Sequence, residues 1–224
     1  PIETPGVTLV RNIPVVHHVS PEGHCEIVLR QVRVPRTHLL GQWGEAFAMA
    51  QARLGPGRVH HCMRTIGQCE LALELATERA LERKAFGKYL ADQSNVQDWL
   101  AECRLEIDQA RLLVLRTAWL LDSRQDVPAA SLRAQVAGIK VVAARLQTQV
   151  VDRAMQIFGA MGLSPDTPLA YFWTWGRALH LMDGPDEVHM RTLARHELDK
   201  ARERMGQSAS YFTTPEQMQA LPHL

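Results

Sequence analysis

The 224-residue sequence is short of cysteine, of long apolar runs and of surplus charge. Its four cysteines form no CxxC pair, and the two helical turns between Cys62 and Cys69 are too many for a disulfide. No apolar run approaches the ~20 residues that a membrane-spanning helix needs. Lysine plus arginine (25) against aspartate plus glutamate (24) leaves a net charge of +1, without the basic surplus that binds phosphate backbones. We therefore expect a globular protein of a reducing compartment, with no membrane span and no nucleic-acid partner.

Signatures of metal chemistry and of nucleophilic catalysis are also missing. The ten histidines include no paired Glu-x-x-His motif of a di-iron bundle, only a single Asp186-x-x-His189. His60 and His61 are adjacent, so they point to different faces of a helix and cannot easily share an ion. The sequence has no Gly-x-Ser-x-Gly elbow and no phosphate loop of the Walker or Rossmann type. No metal site is predicted.

The first 44 residues have the pattern of short strands and turns. Aliphatic and β-branched residues form runs at 7–10 and 25–34, and turn residues such as Pro21-Glu22-Gly23 separate them. We expect two antiparallel strands, partly covered on both faces. Because an isolated strand pair is barely stable, these strands should belong to a sheet whose other strands lie elsewhere.

After Gly55-Pro56-Gly57 the apolar period changes from two to three and four, which is typical of helices. The first two of the five predicted helices run from after Gly57 to about Lys84 and from after Ser94-Asn95 to before Gln125. The other three run from about Pro128 to Phe158, from Leu169 to Met182, and from after Pro185 to about Met205. Helices joined by loops of a few residues predict an up-and-down bundle. We place the bundle at 45–206 and a loose tail at 207–224.

Three short stretches stand out in the sequence, and each has a purely structural interpretation, although two of them also contain residue types that suit chemistry. Asp183 precedes a helix start. It could be a carboxylate base at the edge of a buried space, or an ordinary turn or helix-capping residue. The cations of 83–88 suit a pyrophosphate site, or the ordinary charge pattern of a helix C-terminus. The stretch 156–162 has the pattern of a helix C-terminus followed by a tight turn.

Taken in order, these stretches resemble the acyl-CoA dehydrogenases. The segment Glu78–Gly87 looks like that family's ERxxFG segment, QIFGAMG at 156–162 looks like its Q-[IVL]-x-G-G-x-G turn, and Asp183-Gly184-Pro185 stands where its catalytic Glu-Gly-Thr loop belongs. The runs 55–64 and 183–189 look like the branch of acyl-CoA dehydrogenase family members 10 and 11. The resemblance extends from about Thr4 to Glu197.

The resemblance implies a mainly α fold. The part at 45–206 would be the family's C-terminal domain, an up-and-down four-helix bundle. The part at 1–44 would be the end of its middle β domain. The family's N-terminal helical domain and the first half of its β domain have no counterpart in this sequence, so we expect the C-terminal portion of the enzyme. The alternative is a non-catalytic helical module for oligomerisation or binding.

In function, the resemblance implies an FAD-dependent oxidation of an acyl-CoA thioester to the trans-2-enoyl-CoA. Asp183 matches the base that removes the α proton, while a hydride leaves the β carbon for the flavin. Arg58 matches an arginine near the acyl-CoA channel that supports the catalytic loop. Gly184 is expected to bind the substrate. Eight residues are expected to bind FAD. Arg83, Phe86 and Gln93 would contact the FAD of a neighbouring subunit, and Gln156, Gly159 and Ala160 would hold its adenosine side. Pro185 and Glu187 would line FAD beside the base.

Four positions depart from the family pattern. Asp183 is one methylene shorter than the usual glutamate, and Pro185 lacks the usual hydroxyl. Ala160 replaces a glycine, and Ser94 replaces a frequent glutamine. The shorter base requires a shifted loop or a different position of the substrate.

The resemblance also implies partners and a compartment. A site shared between protomers implies a homodimer or a homotetramer. Electrons would pass to electron-transfer flavoprotein, or to oxygen in an oxidase relative. We expect a cytoplasmic protein if the source is bacterial, and a mitochondrial or peroxisomal protein if it is eukaryotic. The length, branching and hydroxylation of the acyl group are left open.

Overall fold

Five α-helices and two short strand pairs make up the computed structural model, which describes residues 1–19, 23–123, 127–207, 211 and 214–215. The strands are β1 Val7–Asn12, β2 Cys25–Leu29, β3 Lys84–Ala85 and β4 Lys88–Tyr89. The helices are α1 Ala46–Glu82, α2 Ser94–Asp122, α3 Ala129–Phe158, α4 Leu169–Leu179 and α5 Asp186–Glu203. The expected turn at Pro21-Glu22 and most of the expected tail at 207–224 lie outside the described residues.

Helix α3 forms the centre of the bundle. It packs against α1, α2, α4 and α5, and it carries twice as many buried residues as α1 although it is shorter, with 30 residues against 37. Small side chains help α1 to pack closely, because Ala72, Ala76 and Ala80 recur every four residues on its buried face. The predicted helical bundle with a short strand pair is confirmed.

The first helix begins earlier than the sequence predicts. Because α1 starts at Ala46, the stretch Gly55-Pro56-Gly57 lies inside the helix, and the predicted start after Gly57 is wrong. Pro56 has no amide hydrogen for the carbonyl of Ala52, but both residues are exposed, so water can satisfy that carbonyl. The helix therefore continues through a residue that usually marks a boundary.

The strand pair before the bundle is shorter and more open than predicted. β1 and β2 are antiparallel, as predicted, with Val7 opposite Leu29. β2 ends at Leu29 instead of reaching Val34, because Gln31 has a left-handed φ of 50° that ends the extended backbone. One face is open, with Ile27 50% and Leu29 67% exposed, so the part of the chain that the structure describes does not supply the expected cover on both faces. Among the described residues, no further strand pairs with these two.

The expectations of unpaired cysteines and of no membrane-spanning helix both agree with the described residues. All four cysteines are free thiols, and Cys62, Cys69 and Cys103 lie in the core as small apolar side chains. Within the described ranges, none of the helices has an apolar stretch long enough to cross a membrane.

Candidate functional site

The loop between α4 and α5 carries two successive residues in left-handed conformations. The φ angle is 54° at Asp183 and 105° at Gly184, and aspartate is one of the few residues with a side chain that tolerate this region. A Cβ at Gly184 would lie 3.0 Å from Nε2 of His189, so glycine also leaves room for that ring. The two residues turn the chain sharply between the helices.

Three donors hold the backbone carbonyl of Asp183. Arg58 on α1 donates from Nε at 3.1 Å and from Nη2 at 2.9 Å, and Nε2 of His189 on α5 lies 3.1 Å from the same oxygen. A carbonyl only accepts, so His189 carries a proton on Nε2. Burial is the main cause that lowers the pKa of His189, and the charges of Lys140 and Arg58 add to it, so the ring is neutral near pH 7. The loop is therefore anchored to both helices.

The carboxylate of Asp183 has one buried and unpaired oxygen. The side chain is 18% exposed, and Oδ2 is buried without a hydrogen-bond partner among the described residues. Nε2 of His61, on α1, lies 3.4 Å from Oδ2. Leaving a buried carboxylate oxygen without a donor costs free energy, and such groups are rare in folded proteins outside functional sites.

A buried ion-pair network anchors the start of α5 directly after this loop. Nζ of Lys140, 1% exposed on α3, lies 3.0 Å from Oδ1 of Asp186, and Nδ1 of His180 lies 2.6 Å from Oδ2. Burial by itself raises the pKa of Asp186, but the hydrogen bonds from His180 and Lys140 outweigh it and hold the pKa below its usual value. The carboxylate is therefore ionised, and it lies in the first turn of α5, where the helix dipole favours negative charge.

A cavity of about 530 Å³ adjoins the loop. His61 and Met182, the residue before Asp183, both line it. Its other walls include the cationic side chains Arg53 and Arg64 and the aromatic rings of His24, Tyr171 and Trp175. Apolar and cationic walls together suit an organic ligand that carries negative charge.

The hairpin β3–β4, which connects α1 to α2, presents a fully exposed aromatic ring. Phe86 and Gly87 form its two-residue turn, with φ angles of 54° and 80°, and the Phe86 side chain is fully exposed. A left-handed phenylalanine is uncommon, and such backbone strain is concentrated at binding sites. Arg83 before the hairpin is exposed, and Gln93 after it is half-buried.

The end of α3 lies beside the end of α1. The guanidinium of Arg79 is 5.7 Å from the centre of the Phe158 ring, which joins the two helix ends. Gly159 follows with a φ of 66°, and a Cβ added to it would meet nothing within 4 Å. Gln156 and Ala160 are exposed next to it. This open surface can be approached closely by a ligand from outside the chain.

The structure thus divides the predicted site residues into two groups. The first is formed by Arg58, Asp183 and Gly184, with Pro185 half-buried and Glu187 exposed at the start of α5. The second lies at the far end of α1 and α3 and contains Arg83, Phe86, Gln93, Gln156, Gly159 and Ala160. At about 1.5 Å per residue, the two groups are roughly 35 Å apart along α1. One chain therefore does not bring all the predicted residues around one point.

Three residues beside the first group were not predicted as functional from the sequence. They are His61, Lys140 and His180. The sequence could have indicated Lys140, because a lysine in the middle of the apolar face of α3 is rarely buried unless it is paired. No sequence pattern indicated the two histidines, since the helix pattern alone does not show which residues of distant elements face them.

The chain is similar to known proteins over most of its length. Residues 44–198 match the family model described as acyl-CoA dehydrogenase, C-terminal domain. Over 202 residues, the chain is 53% identical to the probable acyl-CoA dehydrogenase FadE2 of Mycobacterium tuberculosis, a match that covers 90% of this chain and 49% of that protein. It is 47% identical over 210 residues to acyl-CoA dehydrogenase family member 10 of Mus musculus, covering 93% of this chain and 19% of that protein.

A solved structure has the same fold. An acyl-CoA dehydrogenase from Mycobacterium abscessus matches with a TM-score of 0.84 and 47% identity, covering 89% of this chain and 49% of that one. The chain thus spans half or less of the length of these relatives.

Proposed function

Because this chain belongs to the acyl-CoA dehydrogenase family, we propose that it carries the catalytic base and part of the flavin site of an FAD-dependent acyl-CoA dehydrogenase. The proposed reaction removes a proton from the α carbon and a hydride from the β carbon of an acyl-CoA thioester. The observation that supports it best is the Asp183 carboxylate, whose backbone is clamped while its buried Oδ2 has no hydrogen-bond partner among the described residues.

Asp183 suits the role of base because its backbone is fixed and its side chain is mostly shielded from water. The α proton of a thioester is weakly acidic, so its removal requires a carboxylate that is held in place and shielded from competing water. The proton passes from the α carbon to a carboxylate oxygen, which leaves Asp183 as a neutral acid. FAD, when bound, supplies the acceptor for the hydride that leaves the β carbon.

The second group of residues fits FAD in charge and in shape. The exposed guanidinium of Arg83 suits a pyrophosphate, and the exposed ring of Phe86 offers an apolar surface. The open space at Gly159 allows a cofactor to approach the backbone closely. We assign Gln156 and Ala160 to the adenosine side, Gln93 to the cofactor site beside the hairpin, and Pro185 and Glu187 to the flavin edge beside Asp183.

The distance between the two groups supports a cofactor site shared between subunits. With roughly 35 Å between them along α1, the two groups of one chain belong to two different cofactors. An exposed apolar stripe on α2 also supports assembly of subunits. Its four side chains lie on one face of the helix and are each 51–68% exposed: Leu105, Leu112, Leu115 and Trp119. We therefore propose a homodimer or a homotetramer.

The proposed substrate is an acyl-CoA, and the proposed electron acceptor is electron-transfer flavoprotein. The cavity beside Asp183 supports the substrate class, since its aromatic and cationic walls suit an apolar chain joined to an anionic carrier.

The proposal is tested with the protein expressed from its complete natural gene. The expected result is a yellow protein with flavin absorbance that is bleached by an acyl-CoA under anaerobic conditions. A protein that binds no FAD, or whose flavin absorbance does not change with short-, medium- or long-chain acyl-CoA, would contradict the proposal and favour a helical oligomerisation module.

A further inference from the structure

The imidazole of His61 lies between the Asp183 carboxylate and the cavity. Its Nε2 atom is 3.4 Å from the buried Oδ2 of Asp183, slightly beyond a hydrogen bond. The same ring lines the cavity, and its side chain is 26% exposed. His61 is therefore the group placed to satisfy the unpaired oxygen of the proposed base.

Arg64 determines which nitrogen of His61 carries the proton. Nη2 of Arg64 lies 2.9 Å from Nδ1 of His61. A guanidinium can only donate, so Nδ1 accepts, and the proton of the neutral ring is on Nε2. Burial, followed by the charge of Arg64, lowers the pKa of His61 although Asp183 acts against them, so the ring is neutral near pH 7. The proton of His61 is consequently on the ring nitrogen that lies 3.4 Å from Oδ2 of Asp183.

We propose that His61 is a positioning residue that donates its Nε2–H to Oδ2 of Asp183, and that Arg64 fixes the tautomer that makes this donation possible. The proposal rests on the proposed function of Asp183 as base. A shift of about 0.5 Å brings the pair into hydrogen-bond range. The donation orients the carboxylate and leaves Oδ1 to accept the α proton.

His61 is not a proton relay in this arrangement. Its Nε2 already carries a proton, and its Nδ1 is occupied by Arg64, so the ring has no free site for a proton from Asp183. The α proton therefore stays on Asp183 until the product leaves. The charged and titratable groups that face this pair are Arg53, Arg58, His60 and Arg64 from α1, His189 from α5, and His24 from the segment before β2.

The kinetic test compares His61→Leu with His61→Gln in the protein expressed from its complete natural gene with FAD. Leucine fills the space without a donor, whereas the glutamine amide can donate from nearly the position of Nε2. We expect His61→Leu to slow flavin reduction by about 10- to 100-fold, the effect of losing a hydrogen bond to a charged group. Its acid limb in the pH–rate profile should move to higher pH, with the KM for acyl-CoA within about threefold. His61→Gln should keep most of the rate.

Two results would overturn the proposal. The first is a His61→Leu protein with the wild-type rate and pH profile, and the second is a His61→Gln protein as defective as His61→Leu. His60→Gln is the matched control, because His60 is the adjacent, exposed imidazole, and it should leave the rate unchanged. Asp183→Asn separates the two proposals: if that variant is inactive while His61→Leu is normal, only the role of His61 fails.

A spectroscopic test does not depend on activity or on the folding of a His61 variant. Long-range ¹H–¹⁵N spectra of wild-type protein labelled at histidine distinguish the two neutral tautomers and the cation. We expect His61 as the neutral Nε2–H tautomer at pH 7, and a change in its ¹⁵N shifts in Arg64→Leu. A His61 ring that is protonated on Nδ1 at pH 7 would overturn the proposal.

Discussion

Arg58 donates two hydrogen bonds to the backbone carbonyl of Asp183, 125 residues later in the chain. The contact joins α1 to the loop between α4 and α5, and His189 completes it from α5. Because Arg58 and His189 hold the backbone and not the carboxylate of the proposed base, they leave its Oδ1 to act on a substrate. The bundle thus positions the base through the main chain.

Arg58→Leu is expected to loosen this loop. The free energy of unfolding should fall by about 1–3 kcal/mol, because the Asp183 carbonyl loses both hydrogen bonds from Arg58. Urea unfolding of the protein measures the change. Arg202→Leu is the control, since that guanidinium is 71% exposed in a surface pair with Asp199 and should change stability by less than about 1 kcal/mol. Equal stability of the two variants would contradict a stabilising role for the hydrogen bonds between Arg58 and the Asp183 carbonyl.

Lys140→Met tests the buried network behind the loop. Removing the ammonium leaves the Asp186 carboxylate, which is only 15% exposed, with His180 as its remaining close partner in the network. We therefore expect a loss of about 3–5 kcal/mol in unfolding free energy. Lys140→Met combined with Asp186→Asn should recover a large part of the loss, because no unpaired charge remains. If the single variant is as stable as the wild type, Lys140 does not anchor α5.

The protein should lose stability in mild acid because of His61 and His189. Both have pKa values below the usual 6.5 in the folded chain, and burial is the main cause in each. As the pH falls below 6.5, the unfolded chain binds protons that the folded chain does not, so the free energy of unfolding decreases until the lowered pKa values are passed.

The His189→Gln variant isolates one of these contributions. It should show a smaller decrease in unfolding free energy than the wild type between about pH 7.5 and about pH 5.5. Urea unfolding at both pH values measures it, with the exposed His38→Gln as control. A pH dependence in His189→Gln equal to that of the wild type would show that His189 does not contribute.

Phe86→Ser tests the second group of site residues. The Phe86 side chain is fully exposed in the chain, so the stability of the subunit should change by less than about 0.5 kcal/mol. Flavin content and the oligomer population should both decrease, since the proposed contact is with a cofactor of the neighbouring subunit. Absorbance and size-exclusion chromatography measure them, with the exposed Leu198→Gln on α5 as control. Wild-type flavin content and elution in Phe86→Ser would exclude that role.

Four of the five helices were predictable from apolar periodicity, since α2 to α5 start and end within three residues of the expected positions. The exceptions have local causes. Pro56 indicated a helix boundary, but its exposed position lets α1 continue through it. The backbone of Gln31 ends β2 early, and no sequence pattern marks that left-handed residue.

The site was less predictable than the fold because its contacts join residues far apart in the chain. Asp183 could be singled out by its place before a helix, but its role depended on family resemblance. The pairing of Lys140 with Asp186 spans 46 residues, and the approach of His61 to Asp183 spans even more. Such pairs depend on how the helices pack, which periodicity does not specify.

The most direct test of the proposed function is rapid-mixing measurement of flavin reduction in Asp183→Asn. The asparagine amide has nearly the shape of the carboxylate and cannot accept the α proton. We predict a protein that binds FAD as the wild type does and whose flavin absorbance is not bleached by an acyl-CoA that bleaches the wild type. Bleaching of Asp183→Asn at the wild-type rate would contradict the assignment of Asp183 as the base.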